Sequence, residues 1–270
     1  MSDSSRSGWA LILGASSGFG AATSLELARS GFDILGVHLD RKTTMPLAEK
    51  VQSEVRALGR QADFFNINAS DANKRHEVIQ HLAQKLRAEG QPSGLKVLFH
   101  SLAFGTLKPL CPPEDGDCIT QSQLEMTLDV MANSLVYWAQ EIVRAKLMAP
   151  GSHLMAMTSE GSSIAWPGYG AVSAAKAALE AYCRQLAVEL APAGICVNAI
   201  RAGVTDTPAL RKIPGCEALI EQALRRNPYR RLTAPEDVAR LVTTIANGST
   251  ALLTGNVLGV DGGEHIAADC

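Results

Sequence analysis

The chain has 270 residues, 46% of them hydrophobic, and 25 Lys and Arg stand against 27 Asp and Glu for a formal net charge of −2. That length fits one α/β fold, and the apolar content supplies a substantial core and excludes a disordered chain. Lys and Arg are scattered singly or in pairs, which gives no footprint for nucleic acid or an anionic membrane, so small molecules are the expected partners.

Short apolar runs alternate with longer segments of helical period. Trp9–Leu13 reads as a buried strand, followed by a Gly-containing turn and a helix through about Ala28. Phe32–Leu39 predicts the second strand, Pro46–Leu58 the second helix, and Ala62–Ile67 and Lys96–His100 the next strands, with an amphipathic helix over Asn73–Glu89 between them. A long helix is expected over Gln121–Met148, then a strand at His153–Thr158, a helix at Gly170–Leu190 and a strand at Ile195–Ile200. Helices over Cys216–Arg225 and Pro235–Ala246 and a strand at Asn256–Val260 complete the series. Repeated strand–helix–strand units with continuously apolar strands predict a doubly wound, Rossmann-type parallel sheet with helices on both faces. No linker, repeat or low-complexity tract interrupts it, so residues 1–270 are read as a single domain. In such sheets the ligand lies beyond the carboxyl ends of the strands.

The first strand runs into Gly14-Ala15-Ser16-Ser17-Gly18-Phe19-Gly20, a G-x-x-x-G-x-G spacing. Glycines there permit a sharp turn and a close approach of pyrophosphate, and the free N–H groups of the new helix favour the phosphate charge. An NAD enzyme places an acid at the end of the second strand to bind the ribose hydroxyls. Here that segment holds Asp40, Arg41 and Lys42. Asp40 fits that acid, while the two cations fit a 2′-phosphate; the pair favours NADPH, with NADH as the alternative.

Six cysteines (Cys111, Cys118, Cys183, Cys196, Cys216, Cys270) lie far apart with no C-x-x-C pair, which argues for reduced thiols over a disulfide framework. His38, His76, His81, His153 and His265 show no ligand spacing, and no metal is expected. The opening MSDSSRSG lacks the apolar stretch of a secretory signal, and no run approaches the ~18–20 apolar residues of a membrane span. A soluble, cytoplasmic protein is expected.

Further motifs resemble those of the short-chain dehydrogenase/reductase superfamily, from Ala10 to about Gly263. They are Asn68-Ala69 after the third strand, His100-Ser101-Leu102-Ala103 after the fourth, Asn133 in the long helix, Ala202-Gly203-Val204-Thr205-Asp206-Thr207, and Val260-Asp261-Gly262-Gly263. Most members carry Tyr-x3-Lys, but Val172 stands four residues before Lys176, and the available tyrosine is Tyr169, giving Tyr-x6-Lys. That spacing, the His100–Ala103 variant and the stretch Asn198–Pro214 resemble the divergent branch of NADPH-dependent enoyl-acyl-carrier-protein reductases.

The resemblance implies that Asn68 and Ala69 meet the adenine edge, and that Ser101, Ala103, Gly203, Val204 and Thr207 line the remaining coenzyme path. Lys176 would hold the nicotinamide ribose and lower the Tyr169 pKa from ~10, and Tyr169 would donate to the thioester oxygen as charge develops there. Thr158 and Ser159 compete for the position of a family serine, and either hydroxyl would donate to a substrate carbonyl. Asn133 is implied in a proton relay to Lys176. His100 is expected to shape the pocket.

Thr207–Glu217 is expected as a substrate lid, with Ala209, Leu210 and Ile213 for an acyl chain. Arg211 and Lys212, or Arg225 and Arg226, are candidates to touch acyl carrier protein or coenzyme A phosphates, against a plain solvated helix face. Ala174, Ala175, Ala177 and Ala178 narrow the Tyr169 helix, and the resemblance implies a dimer or tetramer. The rival functions are a 3-oxoacyl or other carbonyl reductase on the same fold and a non-catalytic NADP(H)-binding sensor.

Overall fold

The computed structural model describes residues 7–112, 114, 116–248 and 252–268; Cys270 lies outside them. Among the described residues seven parallel strands form one sheet in the order β3-β2-β1-β4-β5-β6-β7. They are β1 Gly8–Leu13, β2 Phe32–His38, β3 Ala62–Asn66, β4 Leu95–His100, β5 His153–Thr158, β6 Cys196–Ala202 and β7 Val257–Val260. The helices are α1 Gly18–Arg29, α2 Met45–Ala57, α3 Ala72–Ala88, α4 Gln121–Leu128, α5 Ser134–Arg144, α6 Gly170–Leu190, α7 Cys216–Arg226 and α8 Pro235–Asn247.

The apolar continuity of the central strands has the expected cause: both faces are covered. Leu11, Leu13, Leu35, Val37 and Leu98 pack with side chains of α3, α5 and α6. Ala10, Ile12, Ile34, Val97 and Phe99 pack on the opposite face with α1, α2 and α8. The two sets alternate along each strand because successive side chains point to opposite faces.

The expected helix over Gln121–Met148 differs. It opens at Thr120, whose hydroxyl accepts from Gln123 N at 3.3 Å while Gln123 Oε1 accepts from Thr120 N at 3.1 Å. It then widens into a π-helical turn over Asp129–Asn133 and resumes as α5, which stops at Arg144. Lys146, with φ of 55°, takes the chain out of the helix before Pro150. A periodicity argument sees the apolar stripe but not a one-residue bulge within it.

The strand order reverses between β1 and β4, and their carboxyl ends are level, with Leu13 opposite His100. This switch point opens the crevice where a ligand of a doubly wound sheet binds.

Candidate active site

The glycine turn is shaped by close backbone approaches. A Cβ at Gly14, whose φ is +91°, would lie 2.5 Å from Ser101 O, and one at Gly20 would lie 2.0 Å from Gly14 O. No side chain fits at either position, so the turn, the head of α1 and the end of β4 are drawn together. Ser17 precedes α1 in extended backbone and makes no side-chain cap, which leaves the first N–H groups of the helix to a ligand. Gly18 faces Thr207, since its Cβ would come 3.5 Å from the Thr207 methyl. The expected residues Gly14, Ser16, Ser17, Gly18 and Gly20 therefore form one cradle at the switch point, closed on one side by the Thr207 loop. A pyrophosphate fits such a cradle because both bulk and side-chain caps are missing from it.

At the end of β2, Asp40 turns inward. Its carboxylate meets His38 Nδ1 at 2.9 Å with only 10% of the side chain exposed, and its main chain pairs with the Asn66 amide. Partial burial works against the Asp40 charge, but the Thr44 and Ser16 hydroxyls and His38 outweigh it and hold the carboxyl below its ordinary value. Arg41 and Lys42 are exposed beside it. Asn68 Oδ1 accepts from the Ser70 N–H and hydroxyl, and Ala69 O accepts from Trp138 Nε1 at 2.9 Å. Sequence reasoning did not single out His38 as a partner of Asp40, because that pairing depends on the strand's end geometry.

One cavity is lined by Tyr169, Lys176, Thr158, Ser159, Ser101 and Ala103 together with Phe19, Gly203, Val204 and Thr207. Its apolar wall includes Leu102, Leu107, Met131, Trp166 and Val172, and the expected lid contributes Ala209, Leu210, Lys212 and Ile213. Tyr169 stands immediately before α6 and Lys176 two turns further on, so both side chains reach one cavity. Val172, in the common tyrosine slot, is buried and packs toward Gly105.

Lys176 is 5% exposed. Its Nζ donates to Met157 O at 2.7 Å and to Leu102 O at 3.4 Å. Burial brings its pKa down to about 8, against the pull of Cys183 and Glu180. Burial also raises the Tyr169 hydroxyl above its ordinary value, with Ser159 opposing. The expected lowering of Tyr169 by Lys176 is therefore corrected: in the coenzyme-free protein desolvation governs, and the phenol stays a protonated donor.

The two hydroxyl candidates separate. Thr158 Oγ1 donates to Glu180 Oε1 of α6 at 2.6 Å and is committed there. Ser159 Oγ is buried beside Tyr169, close enough for its hydroxyl to act on the phenol, a Cβ at Gly161 being 2.6 Å from Tyr169 Cε1 and 3.2 Å from Ser159 Oγ. Gly161 thus provides the seat for the tyrosine ring, a role that the sequence reading missed; its only signal there was a glycine two residues past Ser159.

Asn133 is not brought to this cavity. Its Oδ1 accepts from Tyr182 OH at 3.0 Å, and its side chain borders a separate depression with Ser122 and Asp129. The π-helical turn rotates the following residue, Ser134, toward the sheet instead, where Ser134 Oγ meets His100 Nε2 at 2.8 Å.

The cavity is also lined by Glu160, Glu264 and His265, none of them expected from motif spacing. Arg226 Nη2 donates to Glu160 Oε1 at 2.9 Å, so this candidate for a carrier contact or a solvated face is turned inward to hold the cavity wall. Arg211 is likewise paired with Asp206, Nε to Oδ1 at 2.7 Å. Among the described residues no cluster of His, Cys, Asp and Glu is arranged to hold a metal ion, Cys111, Cys118, Cys183 and Cys216 are free thiols, and no helix is long and apolar enough to cross a membrane.

Comparison with known proteins places these features in a lineage. A family model described as enoyl-(acyl carrier protein) reductase matches residues 14–265. The chain is 30% identical over 260 residues to the 1-cyclohexenylcarbonyl-CoA reductase of Streptomyces collinus, covering 96% of this chain and 87% of that one. It is 32% identical over 254 residues to a 3-oxoacyl-(acyl-carrier-protein) reductase of Aggregatibacter actinomycetemcomitans, covering 94% and 97%. A solved short-chain dehydrogenase of Burkholderia cenocepacia in complex with NADP superposes with a TM-score of 0.79 at 25% identity, covering 96% of this chain and 98% of that one.

Proposed function

Because the chain belongs to the short-chain dehydrogenase/reductase superfamily, within the family described as enoyl-(acyl carrier protein) reductase, we propose that it uses NADPH to reduce the C=C bond of an enoyl thioester. The acyl group would be carried on acyl carrier protein or coenzyme A, as the names of its relatives suggest. The observation that carries this reading is the Tyr-x6-Lys pair converging on an apolar cavity, with Val172 filling the alternative tyrosine slot.

When bound, the nicotinamide supplies hydride to the β-carbon of the enoyl group. Tyr169 then donates a hydrogen bond to the thioester oxygen, where negative charge accumulates, and its elevated pKa keeps the proton on the phenol until that charge appears. Ser159 Oγ, beside the tyrosine, is the second donor, while Thr158 braces α6 through Glu180. Lys176 adds a fixed positive charge beneath the cavity. Leu102, Leu107, Met131 and Leu210 exclude water and receive the acyl chain.

Gly14, Ser16, Ser17, Phe19 and Gly20 would hold the pyrophosphate end, and Gly203, Val204 and Thr207 the nicotinamide end. Asn68 and Ala69 would border the adenine. Arg41 and Lys42, exposed at the end of β2, supply the charge for a 2′-phosphate. A second reading of the coenzyme, NADH, is favoured by the inward Asp40 carboxylate, which suits a ribose diol and repels a phosphate.

A second reading of the reaction, C=O reduction, is favoured by Ser159 beside Tyr169, a pair equally able to serve an alkoxide. The same proposal includes a cytoplasmic homo-oligomer. Supporting association, the exposed apolar Val143 of α5 and Val188 of α6 lie on helices that also expose Ala174 and Ala177.

The deciding experiment follows coenzyme oxidation with NADPH and NADH in parallel, using crotonyl and acetoacetyl thioesters. Turnover of the enoyl thioester is expected. Turnover of acetoacetyl thioester alone would replace this reading with carbonyl reduction, and silence with both would favour a sensor.

A further inference from the structure

His100 is wholly buried at the end of β4, next in the chain to Ser101 of the cavity wall. Its two ring nitrogens are in different situations. Ser134 Oγ donates its single proton to Val130 O at 2.7 Å, so toward His100 Nε2, 2.8 Å away, it can only accept. The imidazole is therefore fixed with its proton on Nε2, and Nδ1 is left as a lone-pair acceptor. That Nδ1 is buried and has no hydrogen-bond partner in the protein. A buried, unsatisfied acceptor in an otherwise paired site calls for an electrostatic reason.

Lys176 supplies that reason. Its two carbonyl acceptors belong to Leu102, two residues beyond His100, and Met157, next after the Ala156 that pairs with His100 across the sheet. The ammonium thus lies against the backbone just past the His100 end of β4 and against the neighbouring end of β5. We propose that His100 is a positioning residue for Lys176: locked by Ser134, it presents a neutral imidazole with its lone pair, never its N–H, to the buried ammonium and helps keep that lysine charged. This inference rests on the reading of Lys176 as part of the reductase site.

The local balance agrees with the geometry. Burial, then the Lys176 charge, outweighs the pull of the residue's own main chain and brings the His100 pKa down to about 3, so the ring remains neutral throughout the working range. His100 and Ser134 are both fully buried and their chain ends on Val130 O, which makes them a fixed support and not a path for protons to solvent. The other titratable groups near Lys176 are Tyr169 at the head of α6 and Glu180 and Cys183 along it, with Arg201, Glu160, Lys212, Asp261, Glu264 and His265 on the cavity wall. Cys183 stays a neutral thiol, pushed up to about 12 mainly by burial.

The test titrates Lys176 directly in full-length, coenzyme-free protein labelled with 13C-lysine, the resonance being assigned with Lys176→Arg. His100→Leu removes the acceptor. Ser134→Ala keeps the imidazole but frees its proton to move to Nδ1. Both should lower the Lys176 pKa by at least about half a unit, and His100→Asn should recover part of the loss. With substrate, the alkaline limb of the kcat profile should move in the same acid direction. A Lys176 titration unchanged in Ser134→Ala and in folded His100→Leu would overturn the proposal; if His100→Leu does not fold, Ser134→Ala decides alone. Shifted titrations without turnover of any thioester would leave this role standing and remove the reductase reading.

Discussion

Gly161 shows how a residue with no side chain governs one that carries chemistry. The Tyr169 ring lies where a Cβ at position 161 would be, with Cε1 only 2.6 Å from it. Gly161→Ala should move the ring without unfolding the protein, lowering kcat by about 10- to 100-fold while coenzyme affinity stays within about twofold. Tyr169→Phe, which leaves the ring seated but removes the donor, should cost at least about 100-fold in kcat. Steady-state kinetics with a fluorescence titration of the coenzyme separates the effects, and wild-type turnover in Gly161→Ala would refute the seating argument. Lys176 carries a second prediction. Its pKa falls from 10.5 to about 8 on folding. Below pH 8 both folded and unfolded chains bind its proton, while from 8 to 10.5 only the unfolded chain does. Stability should therefore rise with pH across that window. Urea titrations of coenzyme-free wild type against Lys176→Met should show the wild type gaining relative stability as pH increases there; an opposite trend would mean that the ammonium is not buried as described.

Elements set where those residues act. The π-helical turn between α4 and α5 turns Asn133 toward Tyr182 and Ser134 toward His100, so a single bulge decides which polar side chain supports the site. Helix α8 braces the opposite face of the sheet with Val238, Val242 and Ile245. Its first turn is held by Asp237, whose carboxylate accepts from Ala234 N at 2.9 Å and pairs with Arg231 at 2.6 Å. Arg231 chiefly, together with the Ala234 N–H and Arg240, outweighs burial and brings the Asp237 pKa down to about 2. Asp237→Asn should cost about 1 kcal/mol at neutral pH, the usual scale for a lost cap. The contribution is present above the ordinary carboxylate pKa and disappears as pH falls through 2, so the melting curves of wild type and variant should converge between pH 4 and 2. A constant gap across that range would show that the charge is not what holds the helix end.

For the whole molecule, the crevice between β1 and β4 joins the glycine cradle, the Asp40 end of β2 and the Tyr169 cavity along one edge of the sheet. A dinucleotide spanning that edge binds only the folded chain and must stabilise it. At a coenzyme concentration 100 times its Kd the gain is about 2.7 kcal/mol, seen as an increase in Tm. NADPH should raise Tm more than NADH at equal concentration, and Lys42→Ala should reduce that difference; a larger shift with NADH would assign the end of β2 to Asp40 and the ribose diol.

The sequence by itself determined the succession of strands and helices, because apolar runs and amphipathic periods follow directly from burial on two faces of a sheet. It also determined the turn at Gly14–Gly20 and the Tyr169–Lys176 spacing, since both act over a few residues of chain. Only the tertiary structure decided that Thr158 belongs to Glu180 while Ser159 lies beside Tyr169, because adjacent residues on a strand end differ solely in direction. It alone showed that Asn133 faces away, that Arg226 turns inward, and that burial raises Tyr169. Those outcomes depend on what packs against each group across long stretches of chain, and desolvation is a property of the assembled surroundings, not of local spacing.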